Sequence, residues 1–291
     1  MRLNRYEQAE ECVRNYHLDK IGTHDPSVFL DLHPAGGLAA LQGYTNSTNQ
    51  AAVFDLASGH ILWQPEGVPA LCWLPNSGNI LLIRSLYQRD PELHEGPIKI
   101  HSPLQSEFLH YVECWAWPEK RRLSGCELTF PTGWPTYIAA SPRRDLAVVQ
   151  WQEQDDSGIE LFALTESGPQ PLPKASYRAG THLTEYALFS PDGRYLVLAC
   201  TMPEWWEPDE ENENIVSSGG HFQVGELVVL DTQSFTYRVL PIHKELPAGW
   251  SPKDPESALE DYMLQATYFT DLTHLCVHIM NDWTWIVDLA P

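Results

Sequence analysis

The sequence has few basic residues. Eighteen lysines and arginines stand against 39 aspartates and glutamates in 291 residues, which gives a formal net charge of -21. Such a surface repels phosphate backbones and anionic headgroups, so nucleic acids and acidic membranes are disfavoured as partners. No stretch approaches the ~18 consecutive apolar residues of a membrane span, and the amino terminus lacks the apolar segment of a secretory signal. We therefore expect a cytoplasmic protein.

Several chemical signatures are also missing. The cysteines form no C-x-x-C pair, which favours buried free thiols over zinc ligands or disulfides. They are Cys12, Cys72, Cys114, Cys126, Cys200 and Cys276. No phosphate-binding glycine loop, G-x-S-x-G motif or calcium loop occurs. His274 and His278 would lie about 13 Å apart on a strand, too far to share one metal. We expect neither a metal nor a cofactor.

What the sequence contains is a turn that recurs along the chain. In its clearest copy, FSPDGRYLVLAC (189–200), the residues Pro191, Asp192 and Gly193 connect two β-rich runs. The related copies are LHPAGGLAAL (32–41), WLPNSGNILLI (73–83), ASPRRDLAVVQW (140–151) and FTDLTHLCVHI (269–279). Because Gly193 follows Pro-Asp in a tight connection, we expect it at positive φ.

A second hairpin follows each copy of the turn except the last. These hairpins are AVFDLASGHILW (52–63), FLHYVECWAWPEKRRLSGCELTF (108–130), GIELFALTESGPQPL (158–172) and GELVVLDTQSFTYRVL (225–240). After the fifth copy only one strand remains, WTWIVDLA (283–290), and the alternating segment CVRNYHL (12–18) can supply the missing outer strand.

The pattern predicts an all-β fold, a β-propeller of five four-stranded blades. Six or seven blades are the other counts considered, and a β-sandwich with extra hairpins is the alternative architecture. We expect one domain over residues 1–291, with residues 1–27 supplying the strand that closes the last blade.

The turns SPDGRYLVLA (190–199) and FDLASG (54–59) resemble the blades of bacterial WD40-like propellers, and the resemblance extends over residues 28–290. It implies a propeller that serves as a platform for partner proteins. Asp55, Asp231 and Asp288 stand where that family often ends its third strand with Asp. The residue before each of them is not Trp, however, and the Gly-His that opens a blade is missing. The hydrogen-bonded tetrad of eukaryotic WD40 blades is therefore not carried over.

The five turns are unevenly spaced. Pro34, Pro75, Pro142, Pro191 and Asp271 are 41, 67, 49 and 80 residues apart, whereas a compact blade takes about 40–45. The extra residues fall in three insertions, 88–107, 203–221 and 243–261. Because strands alternate in direction, all three should emerge on one face, and long loops on a rigid scaffold usually carry function.

That face is predicted to be strongly acidic. Residues 203–261 hold 13 acidic and 3 basic residues, and PEWWEPDEENEN (203–214) joins six carboxylates to two tryptophans. The candidate partner-binding residues are Trp134, Glu204, Trp205, Trp206, Glu207, Asp209, Glu210, Glu211, Glu213 and Trp250. Aromatic rings and carboxylates suit a basic, Arg-rich protein. The alternative is a solvated acidic loop that its tryptophans pin to the propeller.

The sequence offers little for catalysis. A hydrolytic propeller needs two or three carboxylates near the axis. Aligning the first strands on the turn gives two rings of positions with one carboxylate each, Glu185 and Asp31. The leading function is therefore a non-catalytic scaffold or adaptor for a basic protein, as an immunity-like inhibitor or a subunit of a multicomponent complex. The alternative is a glycan-processing five-bladed hydrolase.

Overall fold

A computed structural model of the chain describes residues 28–43, 51–87, 108–128, 134–153, 156–179, 187–201, 224–241, 264–279 and 283–290. In this part the chain forms antiparallel β-sheets and one short 3-10 turn, Pro173–Ala175. None of the described residues form a helix long and apolar enough to cross a bilayer. The chain divides into two compact units, residues 1–154 with 159–177, and residues 155–158 with 178–291.

The first unit holds three sheets, and in each of them consecutive strands pair with one another. Sheet 1 consists of β1 (Val28–Leu32), β2 (Leu38–Gly43), β3 (Ala52–Asp55) and β4 (Ile61–Trp63). Sheet 2 consists of β5 (Ala70–Trp73), β6 (Ile80–Tyr87), β7 (Phe108–Ala116) and β8 (Arg121–Glu127). Sheet 3 consists of β9 (Trp134–Ala140), β10 (Leu146–Gln152), β11 (Ser157–Thr165) and β12 (Gly168–Pro171), with β13 (Tyr177–Arg178) also paired to β11.

The second unit holds two sheets of the same design. Sheet 4 consists of β14 (Leu188–Phe189), β15 (Tyr195–Thr201), β16 (Val224–Asp231) and β17 (Thr236–Pro241). Sheet 5 has three strands in the described residues, β18 (Leu264–Phe269), β19 (His274–Ile279) and β20 (Trp283–Asp288). The predicted closing strand, residues 12–18, lies outside the described residues.

The hairpins predicted from the repeated turn are confirmed, and the turn has the expected chemistry. Gly193 has φ +72° and its N–H donates to the Ser190 carbonyl oxygen at 2.8 Å. The Asp192 carboxylate accepts hydrogen bonds from the Ser190 hydroxyl and the Arg194 backbone N–H. The short side chain of Asp192 and the positive φ of Gly193 together reverse the chain direction between β14 and β15.

Sheet 2 is buried on both faces along β5 and the first half of β6, because successive side chains of a strand point to opposite faces and each face meets a neighbouring sheet. Residues of one face pack against Ala40 and Val53 of sheet 1; they are Leu71, Trp73, Ile80 and Leu82. Residues of the other face pack against Ile138 and Phe162 of sheet 3; they are Ala70, Cys72, Leu81, Ile83 and Val112. The central sheet of this unit is thus a rigid core element.

The second unit has its own core between sheets 4 and 5. Sheet 4 contributes Tyr195, Val197, Ala199, Leu227 and Val229, and sheet 5 with the residues after it contributes Phe269, Leu275, Val277, Val287 and Leu289. Arg238 of β17 donates to the Leu289 carbonyl oxygen at 2.5 Å. The opposite face of sheet 5 exposes Tyr268 and Ile286, which are 48% and 52% accessible.

The expectation of free thiols is confirmed for the five cysteines that the structure describes. Cys72, Cys200 and Cys276 are buried, and Cys114 and Cys126 are half-buried. Burial raises the pKa of Cys200 to about 12 and that of Cys126 to about 11. The thiols of Cys200 and Cys126 are therefore protonated at neutral pH and poorly nucleophilic.

Candidate binding surfaces

Of the predicted partner-binding residues, Trp134 is the one that the structure describes. The others, Glu204, Trp205, Trp206, Glu207, Asp209, Glu210, Glu211, Glu213 and Trp250, lie outside the described residues. The same holds for the three insertions, 88–107, 203–221 and 243–261. Trp134 is therefore the candidate residue whose surroundings the structure describes.

Trp134 is the first residue of β9, where it is half-buried against a polar pair. Its ring meets the His110 ring edge-to-face, with centroids 5.5 Å apart. The Nδ1 of His110 lies 2.8 Å from the Ser85 hydroxyl, because the two residues are directly opposed on β6 and β7. Packing on this pair fixes the position of the indole.

His110 is held neutral at this position. The side chain is 7% exposed, and burial lowers its pKa to about 4. At neutral pH the imidazole therefore has one N–H donor and one acceptor nitrogen. The Ser85 N–H also donates to the Gly67 carbonyl oxygen at 2.7 Å, which ties the segment before β5 to this end of sheet 2.

Asp31, one of the two carboxylates considered for catalysis, has a structural contact. Its Oδ2 accepts a hydrogen bond from the Trp73 backbone N–H at 2.7 Å. Trp73 ends β5, which is an edge strand of sheet 2 in the described residues. Asp31 thus satisfies a backbone donor on the strand edge of the next sheet. Glu185 lies outside the described residues.

Gln42 plays a similar part for sheet 3. Its Nε2 donates to the Ile138 carbonyl oxygen at 2.9 Å and its Oε1 accepts from the Ile138 N–H at 3.3 Å. One side chain of β2 therefore pairs with both backbone groups of a residue on β9.

The described residues contain no group of three or more His, Cys, Asp or Glu side chains placed to hold a metal ion. His274 and His278 lie on the regular strand β19, as expected, with His278 four residues along it.

The structure reveals a second surface that the sequence analysis did not identify, between β4 of sheet 1 and strands β6, β7 and β8 of sheet 2. We call it the tryptophan–arginine cluster. It consists of Trp63, Arg84, Glu113, Trp115, Trp117, Lys120 and Arg122. The Trp63 ring centroid lies 5.5 Å from that of Trp115 and 6.3 Å from that of Trp117.

Glu113 organises the polar half of this cluster. The carboxylate is 5% exposed, and its Oε2 accepts from the Arg84 Nε and the Trp115 Nε1, each at 2.9 Å. Its Oε1 lies 2.9 Å from the Arg122 Nε. One buried carboxylate therefore holds two guanidinium groups and an indole in place.

Two cations also stack on the tryptophan rings. The Arg84 guanidinium carbon lies 5.1 Å from the Trp115 ring centroid, and the Lys120 Nζ lies 5.9 Å from that of Trp117. Lys120 Nζ also donates to the Leu62 carbonyl oxygen at 2.7 Å. The segment WAWPEKRR (115–122) carries most of these groups, and its alternating tryptophans followed by three basic residues are the signal that could have indicated the cluster.

No protein-family model matches the chain, and no curated protein matches it. Solved structures do match. Sqt1 from Chaetomium thermophilum, in a structure bound to the N-terminus of the ribosomal protein L10, is similar over 91% of this chain with a TM-score of 0.50 and 14% identity. The Swd1 β-propeller domain from Myceliophteria thermophila is similar over 89% of this chain with a TM-score of 0.48 and 11% identity.

The similarity to Sqt1 shows a β-propeller fold. The propeller domain of the Trilobed protease from Pyrococcus furiosus also matches, over 90% of this chain, with a TM-score of 0.42 and 13% identity. This chain spans 61% of the Sqt1 chain, 63% of the Swd1 chain and 70% of the protease domain.

Proposed function

We propose that this protein is a non-catalytic β-propeller scaffold that binds a basic protein partner through its acidic, tryptophan-containing loops. The observation that carries the proposal is the charge distribution, with 13 of the 39 acidic residues in residues 203–261. The insertion 203–221 connects β15 and β16, which pair over seven register positions in a buried ladder. A long loop between rigid strands is a common way to build a binding surface.

Trp134 supports this proposal in a second way. Because the ring packs on His110, its position is fixed, and rigid aromatic anchors are enriched in protein interfaces. The fold is compatible with this role, since Sqt1 is a similar propeller that was solved bound to a segment of another protein. That compatibility is an analogy at the level of the fold.

We propose a binding protein rather than the glycan hydrolase because of Asp31. One oxygen of Asp31 accepts a hydrogen bond from the Trp73 backbone N–H, and this structural role in joining two sheets supports the proposal of a binding protein. The acidic partner-binding surface would suit an immunity-like inhibitor of a basic effector, or a subunit of a larger complex.

We further propose that the five sheets are five blades of a single domain over residues 1–291, and that residues 12–18 close the last blade beside β20. In the described residues β20 pairs with β19 on one side only, and such an edge is normally covered. Deleting residues 1–20 should lower the melting temperature sharply or cause aggregation. An unchanged melting curve would remove the closure from the proposal.

The binding proposal is tested with kinetics on a partner captured from the native host, measured at several salt concentrations. Glu210→Lys with Glu211→Lys should lower the association rate and its salt dependence, because exposed charges act over a Debye length of ~8 Å at physiological ionic strength. Trp205→Ala with Trp206→Ala should raise the dissociation rate by a factor that corresponds to a loss of about 2 kcal/mol or more in binding free energy.

A matched control separates a local effect from a change in net charge. Glu119→Lys with Glu166→Lys alters the charge equally at two exposed turn positions, and it should leave the association rate nearly unchanged. If the control slows association as much as the loop variant, or if neither loop variant alters binding while both stay folded, the acidic loop is not the binding element.

A further inference from the structure

We propose that the tryptophan–arginine cluster is a second docking surface, and that it binds an acidic peptide segment of another protein that also carries aromatic side chains. This inference does not depend on the acidic loops, since it concerns sheets 1 and 2 and a partner of the opposite charge. It rests on four features of the cluster: excess N–H donors, occupied tryptophan faces, exposed apolar neighbours and a buried positioning carboxylate.

The cluster has more N–H donors than acceptors. Two guanidinium groups carry about ten N–H donors, while one carboxylate offers about four acceptor positions, and one Glu113 oxygen also accepts from Trp115. Arg122 is 51% exposed at its side chain and Arg84 is 22% exposed. A carboxylate from a partner would satisfy the remaining donors with charge-assisted hydrogen bonds.

The tryptophans select against a cationic partner. An indole face attracts a cation, but here the faces of Trp115 and Trp117 are already occupied by Arg84 and Lys120 of the same chain. A second cation would meet these side chains at short range. An anion would instead meet Arg84 and Arg122, which share one buried carboxylate, and Lys120, which lies over Trp117.

One edge of the cluster, strand β4 of sheet 1, is apolar and exposed. Trp63 is half-buried there, and Ile61 and Leu62 of the same strand are 44% and 38% accessible. The two stacked cations lie over Trp115 and Trp117, so Trp63 is the ring of the cluster that an aromatic side chain of a partner can meet. Trp is a residue type that often dominates binding energy at interfaces, so aromatic side chains of the partner would pack on Trp63 and the apolar side chains beside it.

The groups are held in position before a partner arrives. Glu113 fixes both guanidinium groups and the Trp115 indole through contacts of 2.9 Å, which reduces the side-chain entropy lost on binding. Although the chain carries a formal charge of -21, repulsion from distant carboxylates is screened beyond ~8 Å at physiological salt. Local contacts in the cluster therefore decide the specificity.

The test uses the full chain and a fluorescently labelled glutamate–tyrosine copolymer, with binding followed by anisotropy at about 0.15 M salt. We expect the copolymer to bind at least tenfold more tightly than polyglutamate of equal length. The variant Lys120→Gln with Arg122→Gln should weaken copolymer binding at least tenfold. Both side chains lie on an exposed hairpin, so the fold should be retained, as circular dichroism would verify.

The control variant is Arg143→Gln with Lys174→Gln, which removes the same charge from two exposed positions of the first unit and should bind like the wild type. Equal weakening by the control would overturn the proposal, because binding would then follow net charge. The proposal also fails if the copolymer does not bind, if polyglutamate binds equally well, or if the cluster variant binds unchanged. A lysine–tyrosine copolymer should be insensitive to the cluster variant.

Discussion

Replacing Gln42 by methionine should destabilise the first unit by about 2–6 kcal/mol, since each of the two buried backbone groups left without a partner costs about 1–3 kcal/mol. The side chain is 2% exposed, and its amide pairs with both the N–H and the C=O of Ile138 on the edge strand β9. Methionine has a similar shape but cannot form either hydrogen bond. The substitution therefore isolates the two bonds from the packing.

The assay is urea denaturation followed by tryptophan fluorescence. With a slope of about 3 kcal/mol per molar urea for a chain of this size, the midpoint should fall by about 0.7–2 M. Gln170→Met, on the exposed side of β12, is the matched control and should change stability by less than about 0.5 kcal/mol. If Gln42→Met also changes the free energy of unfolding by less than about 0.5 kcal/mol, the two buried hydrogen bonds do not contribute to stability as argued.

Two further predictions concern sheets 2 and 3. Burial lowers the pKa of His110 to about 4, whereas the pKa of a histidine in an unfolded chain is about 6.5. As the pH falls, the unfolded state therefore takes up a proton before the folded state does. The free energy of unfolding should then decrease as the pH drops from ~6.5 to ~4. Urea titrations at pH 7 and pH 5 should show this fall, and His110→Gln should reduce it; equal pH dependence in both proteins would contradict the assignment. Gly168→Ala should lower the free energy of unfolding more than Gly36→Ala does in the same assay. A Cβ atom on Gly168 would lie 2.4 Å from the Ser124 hydroxyl, whereas no atom lies within 4 Å of a Cβ placed on Gly36. Since both glycines have positive φ, equal costs would show that the contact with Ser124 is irrelevant.

The hairpins could be predicted from the sequence because their chemistry is local. Pro191, Asp192 and Gly193 specify a turn within a few residues, and the alternating runs on either side specify strands. The same logic identified sheet 5 as a unit with one strand missing from its own segment. These features depend on no contact beyond the hairpin.

Contacts between sheets could not be predicted in the same way. Gln42 meets a residue 96 positions away, and Asp31 meets one 42 positions away. Such pairs depend on how one sheet packs on the next, and no periodic pattern in a single strand records that packing. For the same reason Trp134 could be named as a site residue while its packing partner, His110, could not.

The tryptophan–arginine cluster illustrates a further limit. The sequence predicts a hairpin for this segment, and β7 and β8 form that hairpin. The position of Trp63 against Trp115 depends on how sheet 1 packs on sheet 2. The aromatic half of the cluster therefore forms only when the unit folds.

The order of the strands has a consequence for synthesis on the ribosome. In the described sheets nearly all pairing joins strands that are adjacent in the sequence, with β13 on β11 as the exception. Each sheet can therefore pair its strands as soon as its own segment has emerged, without waiting for distant parts of the chain. The interval between β15 and β16 delays sheet 4 only slightly, because closing a longer loop costs entropy that grows with the logarithm of its length.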